Sequence, residues 1–256
     1  MKKIILPIIL FMLMICVLSR WHTVIVTAHK NEERVYLWAN DLSRKPDDPP
    51  YFSLYYRFRE MYFSIGSHAS HSVVFLGDSI TDDGDWSNLF PNSFVENRGI
   101  GGDTTLGVLN RLDQVIALRP SQIFLMIGTN DLCFGRSISD TISNYRIILT
   151  RLHTELPDTN IYIESVLPFN DTIFPSRSLR TNSNIKKLNV EIKKIAQLYH
   201  YQYIDLTPGF TDAEGRLPAQ YTSDGLHLDD AGYLIWREQI TELVDISKKH
   251  PAYVQQ

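Results

Sequence analysis

From Ser72 onward, short apolar runs alternate with longer stretches of helical periodicity, and this alternation leaves the chain few architectures to choose from. The strand candidates are Ser72 to Leu76, Phe94 to Asn97, Gln122 to Ile127, Asn160 to Val166 and Gln202 to Asp205. Helical patterns fill Thr105 to Leu118, Ser139 to Leu156, Leu179 to His200 and Asp229 to Ser247. Strands that alternate with helices build βαβ units, whose strands run parallel and whose helices cover both faces of the sheet. The expectation is an α/β fold with a mostly parallel five-stranded sheet. At 256 residues the chain is long enough for one well-buried domain and short for two. Ligands of such sheets collect beyond the carboxyl ends of the strands. Ser79, Gly102 and Asn130 each follow a strand candidate by a few residues, so three distant segments are expected to converge on one rim.

Four patches carry reactive chemistry: Gly77-Asp78-Ser79-Ile80-Thr81, Gly99-Ile100-Gly101-Gly102-Asp103, Gly128-Thr129-Asn130-Asp131 and Asp224-Gly225-Leu226-His227. Together they supply the nucleophile, base, orienting group and anion-stabilising donors of an acyl-transfer enzyme. Ser79 follows Val73-Val74-Phe75-Leu76 and a glycine, where a sharp turn lifts its hydroxyl out at the sheet edge; the plainer reading is a helix cap. A Gly-x-Ser-x-Gly elbow is absent, because Thr81 occupies its last position. Asp224 and His227 lie three apart just before a helix that Asp229 or Asp230 can cap, a spacing that lets the carboxylate orient the imidazole. Gly102 sits in a glycine-rich turn whose backbone N–H groups can face developing negative charge. Thr104 stands where a dinucleotide fingerprint would have its last glycine, which disfavours phosphate binding. Asn130 offers a side-chain amide donor, or else satisfies its own turn.

Other polar groups are read more plainly. Asp82, Asp83 and Asp85 lack the terminal glutamate of a calcium loop and are read as a solvated turn. His68 and His71 have no further ligand cluster beside them. Trp86 and Phe134 are candidates for lining the pocket, with buried packing the competing role of each. The loops Leu132 to Ile138 and Pro168 to Arg180 are where substrate choice is expected to reside.

These blocks resemble the SGNH hydrolase superfamily, the GDSL-type esterases and lipases, over about Ser72 to Leu243 and in the family's order. The resemblance implies a flavodoxin-like three-layer α/β/α fold. It implies Ser79 as nucleophile, Asp224 and His227 as its catalytic partners, and an oxyanion hole made by the N–H groups of Ser79 and Gly102 with the Asn130 amide. The stretch from Asn97 to Thr105 is similar to the platelet-activating-factor acetylhydrolase-like branch, and sugar deacetylating esterases are close in pattern too. Ile80-Thr81 replaces the Leu-Ser of the naming motif, which removes any reason to call the enzyme a lipase. The activity expected is that of a serine esterase acting on short acyl esters, acetyl foremost, of a carbohydrate or lipid, with no metal or organic cofactor. The alternatives are a lysophospholipase or thioesterase-type acyl hydrolase, and an envelope-bound binding module of carbohydrate or lipid that has lost turnover.

Charge and the N-terminus bear on partners and location. A net charge of −4 without a dense Lys/Arg block argues against a nucleic-acid footprint and for a small-molecule or glycan ester substrate. Cys16 and Cys133 are the two cysteines, and a structural disulfide between them is not expected. Lys2 and Lys3 precede an apolar run, Ile4 to Leu18, followed by Ser19 and Arg20, the layout of a cleaved signal peptide or a retained signal-anchor. Either places the catalytic domain outside the cytoplasm, and the second tethers it to the membrane through residues 4–18. The domain reading is therefore residues 1–28 as signal or anchor, 29–71 as linker and leading helix, and 72–247 as the esterase domain. Within the linker, Asn31 to Leu42 suits a short helix and Ser43 to Pro50 a stalk. The aromatic stretch Tyr51 to Ile65 suits an amphipathic helix packed beside the first strand, with an interfacial membrane helix as the alternative.

Overall fold

A computed structural model of the chain describes residues 53–65 and 72–244. They lie within one compact unit that begins at Pro46. The signal or anchor segment with Cys16, the stalk, and His68 and His71 fall outside the described residues. Among those that are described, no helix is long and apolar enough to cross a membrane.

Five strands, β1 (Val73–Gly77), β2 (Val95–Gly99), β3 (Gln122–Met126), β4 (Asn160–Glu164) and β5 (Gln202–Ile204), form one sheet in the order β2-β1-β3-β4-β5. Every pairing is parallel, with Val73 opposite both Val95 and Gln122. This is the doubly wound flavodoxin-like order, in which the chain reverses its direction of winding between β1 and β3. β1 and β3 are buried along their whole length, which is why their apolar runs are continuous and do not alternate with polar residues.

Alternation of side chains divides the interior into two layers. On one face Val74, Leu76, Ile123, Leu125, Ile161 and Ile163 pack with residues of α4 (Thr105–Asn110), α5 (Leu112–Ala117), α7 (Ile138–Glu155) and α8 (Asn182–Leu198). On the other, Val73, Phe75, Phe124 and Met126 meet Trp86 of α3 (Trp86–Leu89) and Tyr233, Trp236 and Ile240 of α9 (Asp230–Ile240). The remaining helices are α1 (Leu54–Ile65), α2 (Ser79–Asp82) and α6 (Thr129–Cys133).

The helix expected over Thr105 to Leu118 is two helices, divided at Arg111. Arg111 leaves helical geometry with φ −110° and ψ 8°. Its guanidinium turns inward to Asp103 at 2.9 Å and to the Gly77 carbonyl at 3.1 Å. A buried ion pair at the end of β1 thus overrides local helical preference. α1 forms where the aromatic stretch predicts a helix, but it packs at the β2 edge and not beside β1. Tyr56 and Phe63 join Ile100 in a small core, the Tyr56 hydroxyl donates to the Gly107 carbonyl at 2.7 Å, and the guanidinium of Arg98 stacks over the Phe63 ring at 4.5 Å. Trp86 is a core residue, with its ring stacked on Phe75 at 3.8 Å, whereas Phe134 is exposed.

Candidate active site

Ser79 is the first residue of α2, directly beyond β1 and at the point where strand order reverses. Asp78 caps this helix by accepting the Ile80 N–H at 3.1 Å, so the capping role that competed for Ser79 belongs to its neighbour. The serine hydroxyl is left for the imidazole: Ser79 Oγ lies 2.9 Å from His227 Nε2, across 148 residues of sequence.

The Asp224 to His227 turn orients that base. His227 Nδ1 lies 2.6 Å from Asp224 Oδ2, while Asp224 Oδ1 accepts the N–H groups of Leu226 and His227, each at 2.8 Å. One carboxylate therefore both closes the turn and holds the ring, leaving Nε2 to accept the serine proton. Burial works to raise the Asp224 pKa, but the hydrogen bond and charge of His227 and the two N–H donors outweigh it, and the carboxylate is held well below its ordinary range. Burial works to lower the His227 pKa; the hydrogen bond and charge of Asp224, assisted by Asp83 and Asp78, prevail and raise it.

Asn130 lies in α6, just past β3, and its Nδ2 donates one hydrogen bond to the Asp103 carbonyl at 2.9 Å. That carbonyl follows Gly102, so the amide is tied to the glycine loop and keeps a second N–H. Gly102 has φ +77°, and a Cβ added there would meet no atom within 4 Å. A left-handed residue beside open space is a place where backbone can meet a substrate closely. All five residues expected at the site thus sit beyond the carboxyl ends of the strands or on the Asp224 to His227 turn. The arrangement can remove a proton from a serine hydroxyl and offer N–H donors to a nearby oxyanion.

The chain matches the pattern of the GDSL-like Lipase/Acylhydrolase family over residues 75–235. It belongs to that family. It is similar to platelet-activating factor acetylhydrolase IB subunit alpha2 of Rattus norvegicus, with 29% identity over 178 residues, 67% of this chain and 75% of the relative. Among solved structures it is similar to one from Streptococcus pneumonia named for platelet activating factor, with a TM-score of 0.67, 26% identity, and coverage of 86% of this chain and 99% of the other. It is also similar to a GDSL-like lipase from Bacteroides thetaiotaomicron, with a TM-score of 0.64, 25% identity and coverage of 74% and 96%. This GDSL-like acylhydrolase is an ester hydrolase on an α/β fold.

Several polar residues of the acylhydrolase rim were not singled out by their sequence pattern. Asp82, read as part of a solvated turn, is instead buried in an ion pair with Arg59 at 2.7 Å. Asp103 pairs with Arg111 in full burial, and burial pushes its carboxyl up to about 7 against the opposing Arg111 charge. Asp131 accepts from the Thr105 N–H at 2.9 Å and hydroxyl at 2.6 Å, and pairs with Arg136 at 3.0 Å. Asp103 and Asp131 each end one of the reactive patches and Asp82 directly follows another, but the arginine or threonine that partners each is set by the fold, and place in the sequence offered the only signal. Among the described residues no group of three His, Cys, Asp or Glu side chains is placed to hold a metal ion.

Proposed function

We propose that this acylhydrolase is a serine esterase that removes a short acyl group, acetyl foremost, from a lipid or carbohydrate alcohol through an acyl-enzyme. The observation that carries the reading is the unbroken relay from Ser79 Oγ through His227 to Asp224, at 2.9 Å and 2.6 Å. His227 Nε2 takes the Ser79 proton as Oγ attacks the ester carbonyl. The N–H groups of Ser79 and Gly102 and the free N–H of Asn130 Nδ2 receive the oxyanion. The carbon–oxygen bond to the alcohol then breaks, and the imidazolium gives its proton to the departing oxygen. Water repeats the sequence on the acyl-serine and releases the acid. Similarity to an acetylhydrolase supports the acetyl preference. The Lys2-Lys3 pair and the apolar run from Ile4 to Leu18 support a site of action outside the cytoplasm, by secretion or by a membrane tether.

The test is hydrolysis of p-nitrophenyl acetate, butyrate and octanoate, and of acetylated sugars and an acetylated lysophospholipid, by the chain and its Ser79→Ala variant. Turnover that falls by roughly 1,000-fold or more in the variant, with acetate the best p-nitrophenyl ester, is expected. Equal rates for the two proteins would sink the serine mechanism. A preference for octanoate would replace the acetyl reading with that of a longer-chain acyl hydrolase. Binding of sugar or lipid without turnover would favour a silent binding module.

A further inference from the structure

Asp82 lies one helical turn beyond Ser79 on α2, and its carboxylate is shared between the glycine loop and α1. Oδ2 accepts the Gly101 N–H at 3.0 Å and the Tyr55 hydroxyl at 2.6 Å, while Oδ1 pairs with Arg59 Nη2 at 2.7 Å. The same Arg59 nitrogen donates to the Gly99 carbonyl at 3.0 Å. Asn97 Nδ2 donates to the Asp82 carbonyl at 2.9 Å. Gly99 makes the approach feasible, because a Cβ there would collide with the Asp82 backbone nitrogen. The loop is thus pinned at Gly99 by Arg59, at Ile100 by the Gly77 carbonyl at 3.2 Å, and at Gly101 by Asp82. With the Gly101 N–H consumed, the next donor along is that of Gly102, for which no described residue serves as acceptor.

We infer that Asp82, held by Arg59 and Tyr55 of α1, is a positioning residue that fixes the Gly102 N–H relative to the Ser79 nucleophile, so that α1 is a working part of the oxyanion site. The inference rests on the serine-esterase reading. α1 lies outside the residues 75–235 that match the family pattern, whereas Asp82, Gly99 and Gly101 lie within them, so the clamp ties a segment beyond the matched range to the core of the site. Asp82 and Arg59 are both largely shielded from water, and removing one partner of such a pair leaves the other charge uncompensated. An oxyanion donor acts only when held about 3 Å from the developing charge, so a loosened loop weakens the transition state more than the ground state.

The experiment compares full-length wild type with Arg59→Ala, Arg59→Lys, Asp82→Asn and Tyr55→Phe. It measures kcat and KM on p-nitrophenyl acetate, inhibition by phenylboronic acid as a tetrahedral mimic, the pH profile and thermal melting. Arg59→Ala and Asp82→Asn are expected to lose roughly 10-fold or more in kcat with KM within about threefold, since a lost oxyanion donor costs on the order of 100-fold. Boronate affinity should fall in proportion, and the pH limb set by His227 should stay in place. Arg59→Lys should recover part of the loss, and Tyr55→Phe, which removes one hydroxyl, should lose roughly two- to fivefold in kcat by the same route. Folded Arg59→Ala and Asp82→Asn proteins that keep kcat and boronate affinity within twofold of wild type would overturn the clamp. If those two do not fold, Tyr55→Phe decides by the same two readouts. A wild type without Ser79-dependent turnover would instead overturn the esterase reading itself.

Discussion

Around the carboxyl ends of β1, β2 and β3, Asp78, Asp82, Asp103 and Asp131 are all shielded from water, whereas the layer between the sheet and α9 is filled by Phe75, Trp86, Phe124 and Trp236 and, among the described residues, holds a single buried carboxyl, Glu164. The rim aspartates are met by specific donors: Arg59 and the Gly101 N–H for Asp82, Arg111 for Asp103, Arg136 and Thr105 for Asp131, and the Ile80 N–H for Asp78. Glu164 is met by the indole N–H of Trp236 at 2.8 Å, and burial pushes its pKa to about 8. Hydrogen bonds and ion pairs are directional, so the rim holds atoms to a geometry. Apolar packing is not directional, so the aromatic layer contributes cohesion and tolerates no voids. The comparison assigns chemistry to the first region and stability to the second.

The largest test of that division is Phe124→Ala. Phe124 is fully buried on central β3, stacked on Phe75 at 5.2 Å and Tyr162 at 4.6 Å. Its truncation is expected to cost about 3 to 5 kcal/mol in urea unfolding, while the protein that stays folded keeps its kcat. A loss of kcat without loss of stability would break the comparison. Asn130→Ala should do the reverse, lowering kcat by on the order of 100-fold with a small change in melting temperature.

The pH dependence sharpens the contrast within the rim. His227 must be neutral to accept the serine proton, and its pKa is raised, so the rising limb of kcat/KM should lie above the ordinary histidine value of about 6.5. Asp224→Asn should move the limb down as well as slow the reaction; a limb that stays put would separate Asp224 from the base. Glu164→Gln is the mildest change. The folded pKa of Glu164, about 8, exceeds its ordinary 4.5, so its contribution to stability is complete below about 4.5 and is lost as pH rises through 8. The amide retains an acceptor for Trp236 and carries no charge. Its melting temperature should match wild type at pH 5 and exceed it by a few degrees at pH 9.

Much of the site was legible because its local grammar is tied to strand ends. An apolar run followed by Gly-Asp-Ser identifies a strand and the turn that presents Ser79, and Asp224 and His227 fit one tight turn at a spacing of three. Arg111 was not legible as a break, because nothing between Thr105 and Leu118 forbids a single helix and only Asp103 and the Gly77 carbonyl call its side chain inward. Asp82 was misread as solvated for the same reason: three aspartates in four residues look like a surface turn until α1 brings Arg59 and Tyr55 over one of them. Phe134, read as either pocket lining or buried packing, is exposed, which rules out the packing role.

The sequence by itself determined the parallel α/β sheet, the place of the nucleophile beyond β1, and the Asp224 and His227 pair, because strand periodicity, turn residues and short spacings are local properties of the chain. Only the tertiary structure decided that Ser79 meets His227 across 148 residues, that Arg111 divides a helix, and that Asp82 ties the glycine loop to α1. Those contacts join segments that are far apart in the chain, and a buried charge takes whichever partner the packed elements bring within reach.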